Sequence, residues 1–318
     1  MANKTRRDYK YEDIRVLLVE PSRNVRLALR ASLSDLGFRD IRDLGEASSL
    51  RERFSELKPD LLVIDTADIG PEICELVQEI RNQEIGDDPF VPIITTTWEP
   101  TAELVRDIIN SGADDLLVKP VSVQKLIDRI QVLIRNRKPF VVTSNYIGPD
   151  RRKSSERDSS IPLIEVPNIL ALKARGVDDW VEIQAIVDAA VGDVNNQRME
   201  RNAYSIAFTV QLILSAYEKA QIDEEIEENL DLLVRAVTDL SRRMVNTRFE
   251  NVSDLCGPML VVVSSLQNSW RKPSRKDLEL LTPLSQAIQG AFNPDANEVD
   301  LALDISRAVT DFNARRSG

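Results

Sequence analysis

Histidine is absent from all 318 residues. Its absence removes Ser-His-Asp and Cys-His nucleophile chemistry, His-based metal centres, and any phosphohistidine relay within the chain. Cysteine is nearly absent as well. Cys74 and Cys256 stand alone without metal-ligand spacing and read as small buried hydrophobes in a reducing cytoplasm. No apolar run approaches the ~20 residues that a membrane helix needs, so no membrane span is expected. The polar start MANKTRRDYKYED has no apolar signal core, which points to a cytoplasmic protein. Positive charge is in deficit. The chain carries a net −11, and residues 161–318 hold 16 Lys and Arg against 24 Asp and Glu, a net −8. Phosphate contacts supply most nucleic-acid affinity, so this balance argues against a nucleic-acid partner.

What is present reads as two domains. From Ile14 onward, short apolar runs alternate with amphipathic segments. The runs are Arg15–Val19 (RVLLV), Asp40–Leu44, 61–64 (LLVI), 91–96 (VPIITT) and 116–118. Helical patterns lie between and after them at about 22–36, 47–57, 71–83, 101–111 and 122–136. Apolar strands of this length separated by helices make a parallel sheet buried on both faces. Five β–α repeats give an α/β flavodoxin-like doubly wound domain over residues 12–138, after a flexible start at 1–11. In such sheets chemistry collects at the carboxyl ends of the strands, where Glu20, Asp65, Thr97 and Lys119 fall.

A carboxylate that accepts a phosphoryl group needs cations and donors to neutralise the three equatorial oxygens. Asp65, at a strand end, can project as the nucleophile; Lys119 can place an ammonium, and Thr97 a hydroxyl, against the phosphoryl oxygens. Four motifs in order, VLLVEPSRNVR, LLVIDTAD, PIITTTWE and GADDLLVKP, resemble the CheY-like receiver domain of bacterial two-component response regulators. The resemblance covers about 40% of the chain. It implies phosphorylation at Asp65, phosphoryl binding by Thr97 and Lys119, and a Mg²⁺ ion held by Glu20, Asp65 and the backbone of Ala67. It also implies a sensor histidine kinase or phosphotransfer protein as partner.

The departures from that pattern matter equally. The family offers two adjacent acids after its first strand; here the pair is Glu20-Pro21, so one charged ligand is lost and Mg²⁺ binding should weaken. Asp68-Ile69 replaces the usual Met-Pro. Trp98 stands where a small residue follows the switch hydroxyl, and it either screens the acceptor or packs on the fourth helix. Leu116 replaces the aromatic switch and has no ring or hydroxyl to report the state of Thr97, so the usual threonine–aromatic coupling is not expected.

Residues 139–165, above all the polar stretch TSNYIGPDRRKSSERDSS at 143–160, read as a linker. Its Arg151-Arg152-Lys153 cluster is either a solvated tether or a seat for a phosphate or acidic surface. Residues 166–318 read as an all-α helical bundle. Asp178 or Asp179 caps a helix to about 191, another spans about 196–221, Pro258 opens a further one, Pro283 splits or begins the next, and a last helix covers about 296–314 with Leu301, Ile305, Ala308 and Phe312 aligned. Ile226, Leu230, Leu233, Val237, Leu240 and Met244 form a heptad seam in a helix at 223–247. That seam serves either an intramolecular bundle or a homodimer.

The output has no helix-turn-helix with a basic recognition helix and no cyclic-dinucleotide enzyme signature. A non-catalytic protein-interaction or dimerisation module with a protein output target is expected. The alternatives are a phosphorylation-independent scaffold working through the heptad helix, and a helical receiver phosphatase using Asp193 and Gln197, an acid and an amide four residues apart.

Overall fold

The computed structural model describes residues 9–66, 70–152, 161–177, 179–293 and 310. It divides the chain into two compact units, 1–193 and 194–318.

In the first unit five strands, β1 (Arg15–Val19), β2 (Asp40–Leu44), β3 (Leu61–Asp65), β4 (Ile93–Thr97) and β5 (Asp115–Val118), form one parallel sheet in the order β2-β1-β3-β4-β5. Helices α1 (Arg23–Leu36), α2 (Leu50–Leu57), α3 (Gly70–Arg81), α4 (Ala102–Ser111) and α5 (Val123–Asn136) follow the strands in turn. β3 and β4 are buried along their whole length, which is why they read as unbroken apolar runs rather than alternating ones. Val16, Leu18, Leu61 and Val63 face one core with Leu29, Leu33, Leu126 and Ile130, while Leu17, Val19, Leu62 and Ile64 face the other with Val77 and Ile80. The flavodoxin-like reading is correct, and each strand lies within two residues of its expected place.

The linker expectation fails. Residues 140–164 contain β6 (Phe140–Val142), β7 (Ile147–Pro149) and β8 (Leu163–Ile164), an antiparallel sheet in the order β7-β6-β8. Strands of two or three residues carry no readable period, and turn residues dominate the composition around them. The short helix α6 (Ile169–Ala174) sends Leu170, Ala171 and Ala174 into the core against α1 and α5. Tyr11, expected within the flexible start, is buried and stacks on Phe38 at 4.7 Å.

Arg151 and Arg152 are neither a free tether nor an open phosphate seat. Arg151 donates to the Ala113 and Asp114 carbonyls at 2.5 and 2.8 Å, and Arg152 pairs with Asp150 at 2.8 Å. Lys153 lies outside the described residues.

The boundary between the units falls inside α7 (Trp180–Glu218), which runs through Gly192 as one helix where two were expected. Interior glycine costs only about 1 kcal/mol, and Val187 and Val194 on either side of it are buried. Asp179 caps this helix, accepting from the Val181 and Glu182 amides at 2.9 and 3.2 Å; Asp178 lies outside the described residues.

The second unit is helix-rich, with α8 (Glu224–Met244), α9 (Cys256–Ser269) and α10 (Arg275–Gly290) after α7. Pro258 sits in the first turn of α9, and Pro283 lies inside α10 rather than at its start. All six seam residues, Ile226, Leu230, Leu233, Val237, Leu240 and Met244, are buried among Ile206, Val210, Met259 and Leu284 of the same chain. The heptad spacing is therefore spent on the unit's own core, and the dimer reading of this seam is corrected. The expected helix at 296–314 lies outside the described residues.

Candidate functional site

The carboxyl edge of the parallel sheet gathers the four side chains that the sequence singled out. Glu20 follows β1, Asp65 ends β3, Thr97 ends β4 and Lys119 follows β5; all four are buried. Lys119 is positioned by its amide, which donates to the Thr97 carbonyl at 2.7 Å. Its ammonium stands between two carboxylates, 2.5 Å from Glu20 Oε2 and 2.7 Å from Asp65 Oδ2. Glu20 uses its other oxygen, Oε1, to accept the Ser22 amide at 2.9 Å, which fixes the acid turn after β1. The buried charges are thereby paired and hydrogen-bonded, the condition for tolerating them away from water.

The hydroxyl that reaches Asp65 is not Thr97 but its neighbour Thr96, at a long 3.4 Å from Asp65 Oδ1. Asp65 and Thr96 are register partners across β3 and β4, and successive side chains on a strand leave opposite faces. Thr97 is present at the edge. Thr96 was legible as one of three consecutive threonines, but which of them faces the acid depends on register.

Arg26 was missed altogether. One turn into α1, it donates to the Glu20 carbonyl at 2.6 Å and the Pro21 carbonyl at 3.3 Å, and its Nε lies 3.3 Å from Asp43. A cation thus grips the backbone of the very turn where Pro21 removed a carboxylate. Its spacing of six residues from Glu20 was the available signal.

Trp98 is 51% exposed, and the Lys119 ammonium lies 5.5 Å from its ring centroid. The indole face attracts the cation, so Trp98 flanks the ammonium, and the edge presents an aromatic lip to solvent. Leu116 is half-buried against the core beneath α4. Ala67, Asp68 and Ile69 lie outside the described residues.

Among the described residues no group of three or more acidic, cysteine or histidine side chains is arranged to hold a metal. Among the described residues Glu20 and Asp65 are the two hard carboxylates at the edge, which meets the one or two that Mg²⁺ takes from a protein. The oxygens facing each other carry the Lys119 ammonium, so a divalent ion and that ammonium draw on the same charge.

In the second unit the Gln197 side-chain oxygen is buried, and among the described residues it has no hydrogen-bond partner. The oxygen of the amide that the phosphatase reading invokes is therefore buried.

Comparison with known proteins agrees with the geometry of the first unit. Residues 16–131 match the family model for the response regulator receiver domain. Response regulator MprA of Mycobacterium leprae is 32% identical over 126 residues, which is 40% of this chain and 53% of that protein. MprA of Mycobacterium tuberculosis is 30% identical over the same lengths. The chain thus spans about half the length of the curated relatives it matches. Among solved structures, the chemotaxis protein CheY4 of Vibrio cholerae is 24% identical, with 37% of this chain and 96% of that one covered and a TM-score of 0.33. The receiver domain of the sensor histidine kinase PA1611 of Pseudomonas aeruginosa, solved with a coordinated magnesium ion, is 25% identical over 37% of this chain and 94% of that one, with a TM-score of 0.32. Residues 16–131 are a receiver domain.

Proposed function

We propose that the chain is a two-component response regulator in which Asp65 accepts a phosphoryl group from a sensor histidine kinase or a phosphotransfer protein. The observation that carries this reading is the Lys119 ammonium 2.7 Å from Asp65 Oδ2 at the carboxyl edge of the sheet. An Asp65 oxygen would attack phosphorus as the phosphorus–nitrogen bond to the donor breaks, giving an acyl phosphate. Lys119 is placed to take one phosphoryl oxygen, and a threonine hydroxyl at the end of β4 another. Mg²⁺, held by Glu20 and Asp65, would neutralise charge on the transferred group.

The receiver then controls the helix-rich half, which acts in the cytoplasm as a non-catalytic helical-bundle module that binds a protein target. The acidic balance of residues 161–318 supports a protein rather than a nucleic-acid target. A phosphorylation-independent scaffold is the second reading, favoured by the closed Glu20–Lys119–Asp65 arrangement and by Pro21. It cannot use the α8 seam, which is buried in the chain's own core.

Incubation with acetyl phosphate and Mg²⁺, followed by intact-mass measurement, tests the first reading. An adduct of one phosphoryl group is expected on the wild type and none on Asp65→Asn. No adduct on the wild type, or an equal one on the variant, selects the scaffold.

A further inference from the structure

The edge of the sheet opposite Asp65 carries a second buried polar assembly, and both helices that start beside the acceptor end on it. α3 begins five residues after Asp65 and finishes at Arg81; α4 begins five residues after Thr97 and finishes at Ser111, capped by the left-handed Gly112. Arg81 is fully enclosed. Its Nε donates to the Gly112 carbonyl at 2.9 Å, its Nη1 to the Pro89 and Val91 carbonyls at 2.7 and 2.8 Å, and its Nη2 to Asp114 at 2.9 Å. Asp114 also accepts the Ile93 amide, at the start of β4, at 2.9 Å and Arg137 at 2.7 Å. Opposing arginines hold its carboxyl below the usual carboxylate range against the effect of its burial.

The β6–β7 hairpin is seated on this assembly backbone against backbone. A Cβ on Gly112 would lie 2.5 Å from the Ile147 carbonyl oxygen, and one on Gly148 would lie 2.7 Å from Gly112 Cα. Arg151, just beyond β7, closes the contact by donating to both the Ala113 and Asp114 carbonyls, at 2.5 and 2.8 Å. Its Nε is buried and has no hydrogen-bond partner among the described residues. The Arg81 side chain lies beside Gly112 and the Tyr146 ring beside Gly148, so the contact is tightly filled on both sides. Packed contacts of this kind move as units rather than deform.

We propose that Arg151, gripping the 112–114 turn, couples the state of the Asp65 edge to the β6–β7 hairpin, so that the receiver signals through the ends of α3 and α4. This rests on the receiver reading given above. Leu116, without a ring or hydroxyl, offers no equivalent on the outer face, whereas the hairpin continues directly into the rest of the chain.

Amide hydrogen exchange over residues 140–152 of the full chain tests the coupling. It is measured for the wild type, for the wild type with beryllofluoride and Mg²⁺, and for Lys119→Met, each with and without Arg151→Ala. Trp98 emission, in a Trp180→Phe, Trp270→Phe background, reports independently whether the acceptor edge responds. Each perturbation is expected to change hairpin exchange at least about threefold, and Arg151→Ala to abolish that change while Trp98 still responds. Arg151→Lys, which keeps one donor, serves if the alanine variant does not fold, and a reduced change is expected. A Trp98 response with unchanged hairpin exchange overturns the proposal. If beryllofluoride leaves Trp98 silent, the phospho-acceptor reading fails, and Lys119→Met, which removes the ammonium without phosphoryl chemistry, still decides: a hairpin exchange change larger than that of the β1–β3 core amides, and lost with Arg151→Ala, sustains the coupling, whereas a hairpin that changes only as the core does overturns it.

Discussion

Glu20 and Asp65, forty-five residues apart in sequence, share the one ammonium of Lys119 in the buried edge of the sheet. Removing Lys119 would leave two enclosed carboxylates facing each other. Breaking a buried ion pair from one side costs about 3–5 kcal/mol, so Lys119→Met should lower the unfolding free energy by that much at neutral pH, read as a lower urea midpoint. Glu20→Gln, which leaves one carboxylate to pair with the ammonium, should cost less. Equal midpoints for Lys119→Met and wild type would mean that water, not Lys119, satisfies the acids.

Pro21 is where the acid turn departs from the receiver pattern. Restoring a carboxylate with Pro21→Asp should tighten Mg²⁺ about tenfold, or ~1.4 kcal/mol. Calorimetric titration of wild type and variant reads it directly, without phosphoryl transfer. An unchanged affinity would show that the ion does not meet this turn.

Asp88 supplies a pH dependence. Burial pushes its carboxyl up to about 6, against the stabilising Phe90 amide that it accepts at 2.8 Å. The folded chain therefore keeps a proton that the unfolded chain gives up at the ordinary carboxylate value. Stability should fall as pH rises from about 4 to about 6. Asp88→Asn, which can still accept the Phe90 amide, should remove that fall, gaining about 1 kcal/mol at pH 7.5 and nothing at pH 4 once partial exposure is allowed for. Urea midpoints of both proteins at the two pH values check it.

The α8 seam yields a prediction that separates core from interface. Leu233→Ala should cost about 2–5 kcal/mol, because it empties a fully buried site. The solution mass of the folded variant should stay that of the wild type, as measured by light scattering. A drop in mass without loss of stability would return the seam to a second copy.

The receiver half was legible because its sheet is buried on both faces: runs such as 61–64 and 91–96 have no other use in a chain of this charge. The edge residues followed from strand ends, and Glu20, Asp65 and Lys119 meet as the motifs implied. Thr96 did not follow, since three threonines in a row leave the face to register, a tertiary property. Nor did the β6–β8 sheet, whose strands are too short for a period of two to emerge and whose hydrogen-bond partners lie on other segments. The α8 seam was read correctly as a helix, but a spacing of three and four residues is the same for a helix packed within its own chain as for one packed on a copy. Arg151 and Arg152 looked like solvent-facing charge because the sequence does not show that backbone carbonyls at 113 and 114 await a donor.

The burial of Phe140 and Val142 and of Leu170, Ala171 and Ala174 in the first unit sets where that unit can be cut. A fragment stopped at residue 131, where the receiver family's match ends, would lose the last turn of α5, Arg137 from its place on Asp114, and the apolar cover that α6 lays over α1 and α5. Such a piece would expose a greasy flank and an underpaired acid. A fragment carried on through Arg175 keeps both closed.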